Sequence, residues 1–324
     1  MSRSYYNKHA CLLRNFVFYL FAGLISVLFM PSIANAQHNS GNAQIVDSLF
    51  ILASSGDTKD RDFVEPSKQA IIEMGAAAIP QMLTKLETHD AREMHAIVDI
   101  FKGIGETAVE SLTTRIYSQD SFIRRLAIRC LGEIKSEKAV GALAAIKDHD
   151  DFRTRSKVMT ALGMIGSPDG SYTVMQGLSD PDDLVATAAA VACGKIKAGI
   201  KPNVLVKALS HPYYGVRHSA ANSLAELGEI AVNPLLDYVQ SQPTILGLGY
   251  VVQAMGRVDS PDVVPTLTLM LTSIDWSIRA NSAEALGNFK SQKTVNTLKQ
   301  ALKNEKHPLV IYKIKLSLDK LQTD

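Results

Sequence analysis

The sequence predicts an all-α protein, an α-solenoid of about nine stacked helical hairpins, and three observations predict it. A six-residue pattern with a small first, apolar second and apolar fifth position recurs along the chain, its last residues separated by 30, 30, 31, 31, 31, 31, 31 and 32 positions. Each period holds two runs of apolar residues at three- and four-residue steps, the spacing of an amphipathic helix. Turn-forming Ser, Asp, Pro and Gly residues stand between the runs, and no alternating strand pattern of useful length interrupts them.

The pattern can be followed column by column. The second position reads Ile71, Phe101, Leu131, Leu162, Cys193, Leu224, Met255, Leu286 and Leu318. The fifth reads Met74, Ile104, Ile134, Ile165, Ile196, Leu227, Val258, Phe289 and Leu321. A repeat of this length is one supersecondary unit that cannot bury its apolar face alone, so neighbours must stack to make a continuous core. In the clearest unit Ile123, Ala127, Cys130, Leu131 and Ile134 line one face of the signature helix, and a shorter partner helix follows with Val140, Leu143 and Ile146 in phase. Segments such as Ser167-Pro168-Asp169-Gly170 and Ser179-Asp180-Pro181-Asp182 separate the helices. Asp and Ser there cap the next helix, and Pro fits a first turn where its missing N–H is not needed.

The first 36 residues read as a removable signal peptide. Arg3, Lys8 and Arg14 precede an apolar stretch over residues 16–30, and Ala34-x-Ala36 supplies small residues for cleavage between Ala36 and Gln37. Fifteen apolar residues are too few to span a bilayer comfortably. Retained, the segment would be an anchor, so a membrane is an expected partner only if the leader is uncleaved. Residues 37–62 are expected to form a capping helix over 44–53 and a polar linker over 54–62, with the solenoid occupying 63–324. The protein is expected to be exported, to a periplasm or the cell exterior. The leader's three basic residues exceed the whole net charge of +2, which leaves the remainder near −1. A near-neutral chain lacks the positive charge that phosphate neutralisation requires, so nucleic acid is not an expected partner.

The string Ile123-Arg124-Arg125-Leu126-Ala127-Ile128-Arg129-Cys130-Leu131-Gly132-Glu133-Ile134 resembles the V-R-x-x-A-A-x-A-L-G-x-I-G signature of HEAT repeats, of the variety first described in bilin (PBS) lyases. Segments 216–221 and 278–287 are similar to it as well. The resemblance spans nearly all of the chain after residue 63. It implies a right-handed α-α superhelix whose signature helices line the concave face. It also implies a stacked Asp/Arg ladder between repeats, which would place Asp120, Arg124, Asp151, Arg155, Arg217, Asp275 and Arg279 in a structural role. The equivalent positions Val64, Met94, Ala186, Leu248 and Ile311 lack Arg, so interruptions are expected there.

No catalytic constellation, metal site or cofactor is expected. HEAT-like iron hydroxylases carry repeated His-Glu dipeptides, and this chain has none. His95 and Asp99 stand four apart, but two ligands make a poor metal site. Asp148-His149-Asp150-Asp151 reads as a capping turn in preference to a weak Ca²⁺ loop. Gly247-Leu248-Gly249 lacks the strand and third glycine of a phosphate loop and reads as a loosened seventh repeat. Cys130 and Cys193 fall in core columns two repeats apart. With helices packing about 8–10 Å from each other, their sulfurs would be about 20 Å apart, beyond disulfide reach.

The expected function is a non-catalytic scaffold that takes a protein or peptide on its concave surface. A lyase-like enzyme and a membrane-tethered assembly factor are the alternatives. Four-residue steps keep one stripe of each signature helix pointing away from the core. The candidate contact residues on that stripe are His95, Asp99, Arg125, Arg129, Ser156, Thr160, Met164, Thr187, Val191, His218, Asn222 and Gln253. Its centre, over residues 156–191, is nearly uncharged, with Met164 and Val191 expected to be exposed as interface cores commonly are.

Overall fold

A computed structural model describes residues 34–241 and 244–322, with side chains from residue 41 onward. Most of the expected leader lies outside the described residues. Ala36 and Gln37 fall near the start of α1 (Ala34–Ala53), with their side chains outside the described set. The capping helix therefore begins ten residues before the expected position 44, since no proline or charged cluster interrupts residues 34–43.

Numbered in chain order, the long signature helices are α2 (Arg61–Met74), α4 (Ala91–Ile104), α6 (Ser121–Ile134), α8 (Phe152–Ile165) and α10 (Asp183–Ile196). The series continues with α12 (Tyr214–Leu227), α14 (Ile245–Met255), α16 (Trp276–Leu286) and α18 (Pro308–Gln322). Between them lie the shorter α3 (Ile79–Thr84), α5 (Val109–Arg115), α7 (Val140–Ala145) and α9 (Ser171–Gly177). The later short helices are α11 (Pro202–Ala208), α13 (Val232–Gln240), α15 (Val264–Met270) and α17 (Gln292–Asn304). No strand occurs among the described residues, and the first residues of the long helices are spaced 30 to 32 apart. The chain is an all-α solenoid.

Aspartates start many of the long helices. Asp90, Asp120, Asp151, Asp182 and Asp275 each accept a backbone N–H from the first turn of the helix they precede, satisfying donors that have no partner inside the helix. The second column of the pattern is buried throughout, and the fifth is buried or packs against the same core. At the N-terminal end α1 buries Val46, Phe50 and Ala53 against the first hairpin. It is held there by Asp47, which accepts from Gln81 at 2.7 Å and Lys85 at 2.5 Å. No described helix is long and apolar enough to cross a membrane.

The two helical layers are packed unequally. Consecutive long helices lie against each other along the stack, whereas consecutive short helices meet at few points. The closeness of the long layer comes from the third position of the pattern, where glycine recurs. A β-carbon added to Gly132 would lie 3.0 Å from Ala161 Cα, and one on Gly163 would lie 2.8 Å from Ala192 Cα. Gly194 meets Ser223 Cα at 3.0 Å, Gly256 meets Ala285 Cα at 2.8 Å, and Gly287 meets Ser317 Cβ at 2.8 Å. Each glycine thus receives the small first-column residue of the next repeat. A stack that is tighter in one layer curves toward it, so the long helices line the concave face. The first joint between repeats, α2 to α4, differs: a β-carbon on Gly103 there would fall on the side chain of Ile72.

Gly247 is also a close approach and not a loosened helix. It is buried in α14, and a β-carbon there would meet Tyr238 Oη at 2.5 Å and Ser210 Oγ at 3.0 Å. Those two hydroxyls are hydrogen-bonded to each other beneath it.

Candidate functional site

The twelve candidate residues all lie at the surface, exposed or half-buried, on the concave layer. Their chemistry divides the face into three stretches.

At the N-terminal end the long helices are bridged by charge. Lys68 Nζ reaches Asp99 at 2.8 Å and Lys102 Nζ reaches Glu133 at 3.4 Å. Asp99 is therefore engaged with the preceding helix, while its sequence neighbour on the stripe, His95, is exposed. Arg125 lies with its guanidinium 5.1 Å from the Phe122 ring and donates to Asp151 at 2.9 Å. Arg129 is half-buried one turn further along α6.

The centre is different. Among the described residues no ion pair bridges α8 to α10 on this face. Thr160, Gly163, Ala188, Val191, Ala192 and the stem of Lys195 line a shallow hollow of about 140 Å³. Val191 is 40 % exposed. Met164 is not freely exposed as its position on the stripe suggested: it is half-buried, its sulfur 3.4 Å from the point a β-carbon on Gly132 would occupy. An unbranched thioether fills such a gap readily. Ser156 and Thr187 flank the hollow, Ser156 O accepting from Thr160 Oγ1 at 2.9 Å and Thr187 Oγ1 donating to Asp183 O at 2.7 Å.

The C-terminal stretch is polar. His218 stacks on Tyr214 with ring centroids 5.6 Å apart and shares a 3.1 Å contact with Asn222. Asn222 Oδ1 accepts from Arg257. Gln253, Arg257, Asn281, Glu284 and Asn288 line a hollow of about 290 Å³ between α14 and α16. Bridges return here, Lys197 to Glu226 at 3.0 Å and Lys313 to Glu284 at 2.7 Å.

The expected ladder residues sit at one edge of this face, and the structure rearranges their roles. Asp120 and Asp275 are N-caps of their own helices and not rungs between repeats. An acid four residues before the arginine is consumed by N–H groups of the first turn. Asp151 does both: it caps α8, and it accepts from Arg125, with Arg124 Nη2 at 3.8 Å. Arg124 itself is buried, donating to Thr154 Oγ1 at 3.1 Å and Ser118 O at 2.7 Å. The acids that meet Arg155 and Arg279 stand in the turn after the next short helix. Arg155 places Nε and Nη2 on the two oxygens of Asp180, at 2.7 and 2.8 Å. Arg279 does the same to Glu305, at 2.7 and 3.0 Å. Both arginines also give Nη1 to two carbonyl oxygens just before their own helix. The bidentate donation from Arg279, with backbone N–H groups of His307 and Lys306, holds the Glu305 carboxyl at about 2. For Asp180 burial works toward a higher value, but Arg155 and the N–H of Asp182 outweigh it and the carboxyl ends below its ordinary range. Asp180 was legible only as a member of a turn, and Glu305 had no expected role. Their common signal, 25 and 26 residues after the arginine, emerges once the crossing geometry is known.

Among the described residues no three His, Cys, Asp or Glu side chains gather where they could hold a metal ion. The carbonyls of His149 and Asp150 are already taken by Arg155 at 2.9 and 3.1 Å. Cys130 and Cys193 are free and fully buried, on helices separated by α8. Burial raises both thiols, that of Cys193 to about 12, and a protonated buried thiol is inert. The expected result is no labelling of either cysteine in the native protein by a maleimide. Both should label after unfolding without reductant, and a peptide linking Cys130 to Cys193 would contradict the repeat register.

Comparison with known proteins gives a consistent family. The model of HEAT repeats matches residues 109–194, 141–225 and 232–319, and that of the PBS lyase HEAT-like repeat matches 216–241. Similar solved structures include human deoxyhypusine hydroxylase in complex with glycerol, at 20 % identity and a TM-score of 0.35, covering 80 % of this chain and 100 % of that one. An engineered protein aligns at 17 % identity and a TM-score of 0.45, covering 92 % and 97 %. The CpcE–CpcF complex of phycocyanin lyase from Nostoc sp. PCC7120 aligns at 17 % and 0.38, covering 75 % and 94 %. Comparison with curated proteins gave no match.

Proposed function

Since the chain belongs to the family of HEAT-repeat proteins, of the PBS lyase HEAT-like variety, we propose that it is an exported, non-catalytic scaffold that binds a protein or peptide on its concave face. Export rests on the basic, apolar and Ala-x-Ala segments of the leader. The observation that carries the binding reading is the contrast along the long-helix layer. Charge bridges tie neighbouring helices together on both sides of the centre, while the stretch between α8 and α10 has no such bridge among the described residues and offers a small hollow in which Lys195 is the one charged lining residue and Val191 stands at the rim. An apolar, charge-depleted centre with a polar surround is the anatomy of a protein interface. A curved layer of similar repeats presents such a centre to an extended ligand.

The test is a pair of charge insertions. Thr160→Glu with Val191→Glu, both exposed on the hollow, is expected to abolish capture of the partner crosslinked in the native envelope, with helicity and melting temperature nearly unchanged. Undiminished capture, or equal loss from charge changes on the short helices, would count against the concave site. The PBS lyase repeat match favours a second reading, a lyase-like activity on a bilin. Incubation with a tetrapyrrole, followed by an absorbance scan, separates that reading from the first.

A further inference from the structure

The last short helix is out of proportion to the others. α17 spans 13 residues, where the other short helices span 6 to 9. Beside the seven-residue α15 it leaves part of its flank uncovered, and an open trough of about 1090 Å³ lies between the two on the short-helix side. Buried Leu271, Val310 and Ile314 give the trough an apolar base, and the paired Arg279 and Glu305 also line it.

The uncovered flank of α17 is polar along its length. Lys293, Asn296, Thr297, Gln300 and Asn304 all line the trough, at steps that keep them on one helical face. Gln300 and Asn304 are exposed, and their carboxamides have no hydrogen-bond partner among the described residues. Asn296 is exposed as well; its Oδ1 accepts from Gln292 at 3.0 Å, and its NH2 group is open. Lys293 near the start of the helix and Lys306 just past its end have no acidic partner for their ammonium groups among the described residues. The charge around them has the same sign: eight lysines and three acidic residues follow position 289.

The spacing of these groups selects the ligand. Asn296, Gln300 and Asn304 follow at four-residue steps, each a rise of about 6 Å along the helix. Two residues of an extended chain advance about 6.6 Å. Every second residue of such a chain turns both its N–H and its C=O to the same side. A carboxamide carries an acceptor oxygen and an NH2 donor, so it can answer both groups at once. From Lys293 to Asn304 the flank is about 16 Å long, room for about five extended residues. A neutral glycan would also meet the carboxamides, but it gives the two terminal lysines nothing to pair with.

We propose that the trough is a second peptide site, on the opposite layer from the concave face, for an extended segment of about five residues with an acidic side chain at each end. Asn296, Gln300 and Asn304 hold alternate peptide units of the segment, and Lys293 and Lys306 pair with its end carboxylates. The site shares no residue with the concave stripe.

The probe is N-acetyl-Asp-Val-Thr-Val-Asp-amide, titrated into ¹⁵N-labelled protein while the Asn and Gln side-chain NH2 signals are followed. The signals of Gln300 and Asn304 are expected to shift and saturate together, while that of Gln253 on the concave stripe stays in place. A peptide N-methylated at its three central residues keeps the charges and loses the main-chain donors; it is expected to bind at least about tenfold more weakly. Replacing both Asp residues of the peptide by Lys is expected to weaken it as much. Gln300→Ala with Asn304→Ala is expected to weaken the parent peptide about tenfold with no loss of melting temperature, since both side chains are exposed and alanine favours the helix. Gln300 and Asn304 signals that stay unmoved up to millimolar peptide overturn the proposal. Equal binding of the N-methylated peptide also overturns it and reduces the trough to a cationic patch. An equal response to maltopentaose does so too, and assigns the trough to glycans. The titration does not involve Thr160 or Val191. Peptide binding together with undiminished capture by the Thr160→Glu, Val191→Glu protein would therefore reject the central site and leave this one standing.

Discussion

Gly163→Ala is expected to lower the stability of the protein by about 1–2 kcal/mol, while Gly141→Ala raises it by about 0.5–1 kcal/mol. Both glycines lie inside helices, so both substitutions gain helix propensity, about 1 kcal/mol at most. They differ in what the new methyl meets. At Gly141 nothing lies within 4 Å, and the propensity gain stands alone. At Gly163 the methyl would fall 2.8 Å from Ala192 Cα, a backbone atom that no rotamer change can move aside. Relieving that contact means separating α8 from α10 along a closely packed joint, and overpacking of this kind costs about 1–3 kcal/mol. The steric term wins, and Gly163→Leu should exceed it. Thermal and urea unfolding of the three variants decide the matter. A Gly163→Ala protein as stable as the parent would mean that the long layer has slack and that its curvature is set elsewhere.

Arg279→Met is expected to cost about 2–4 kcal/mol at neutral pH and to flatten the acid limb of the stability profile. The pair it breaks is bidentate, and the Glu305 side chain is only 9 % exposed. Removing one member of a fully buried pair costs about 3–5 kcal/mol, and the partial exposure of Arg279 reduces that figure. The pH dependence follows from the same contact. Glu305 has a folded value near 2 against an ordinary 4.5, so the unfolded chain binds the proton first as pH falls. The stabilisation is fully present above about 4.5 and is lost progressively as the pH drops toward 2. Without Arg279 the folded carboxyl moves back toward its ordinary range, and the slope in that window shrinks. Urea midpoints at closely spaced pH values between 2 and 6 measure it. Parallel profiles for parent and variant would show that the acid sensitivity arises from other carboxylates, among which Asp180 is shifted in the same direction.

The repeat and its core were legible because they are local properties of a helix. Leu131 and Ile134 announce their face through residues three and four positions away, and the structure buries or packs the columns so identified. What could not be read depends on where the next helix lies. The sequence gives Gly132 no reason beyond its column, and only the arrival of Ala161 against it supplies one. Met164 follows the outward stripe by spacing, yet turns into the space that Gly132 leaves. The resemblance implied a rung role for Asp120 and Arg124, but their four-residue separation places the acid over the N–H groups of its own first turn. The acids that cross between repeats stand on a different turn, at a distance from the arginine set by the length of a whole short helix and its loops. The outward stripe itself was readable, because a residue's presence on one face of a helix follows from period alone.

The glycine joints have a consequence for how this protein could change its reach. Gly132 meets Ala161 as Gly163 meets Ala192 and as Gly194 meets Ser223. Excising one period between them would bring a glycine onto another small residue, with the same mating surfaces on either side of the splice. Duplicating one would do the same. Span and stability are therefore separable quantities over the middle of the chain, as in a chain of interchangeable links, where loss or gain of a unit alters how much ligand can be embraced without redesigning any joint. The N-terminal end is excluded from this freedom: Ile72 stands at the third position where the later joints have glycine, and it packs against Gly103 instead. Growth or shortening by whole units is thus confined to the body of the stack, with its first joint fixed as a unique terminus.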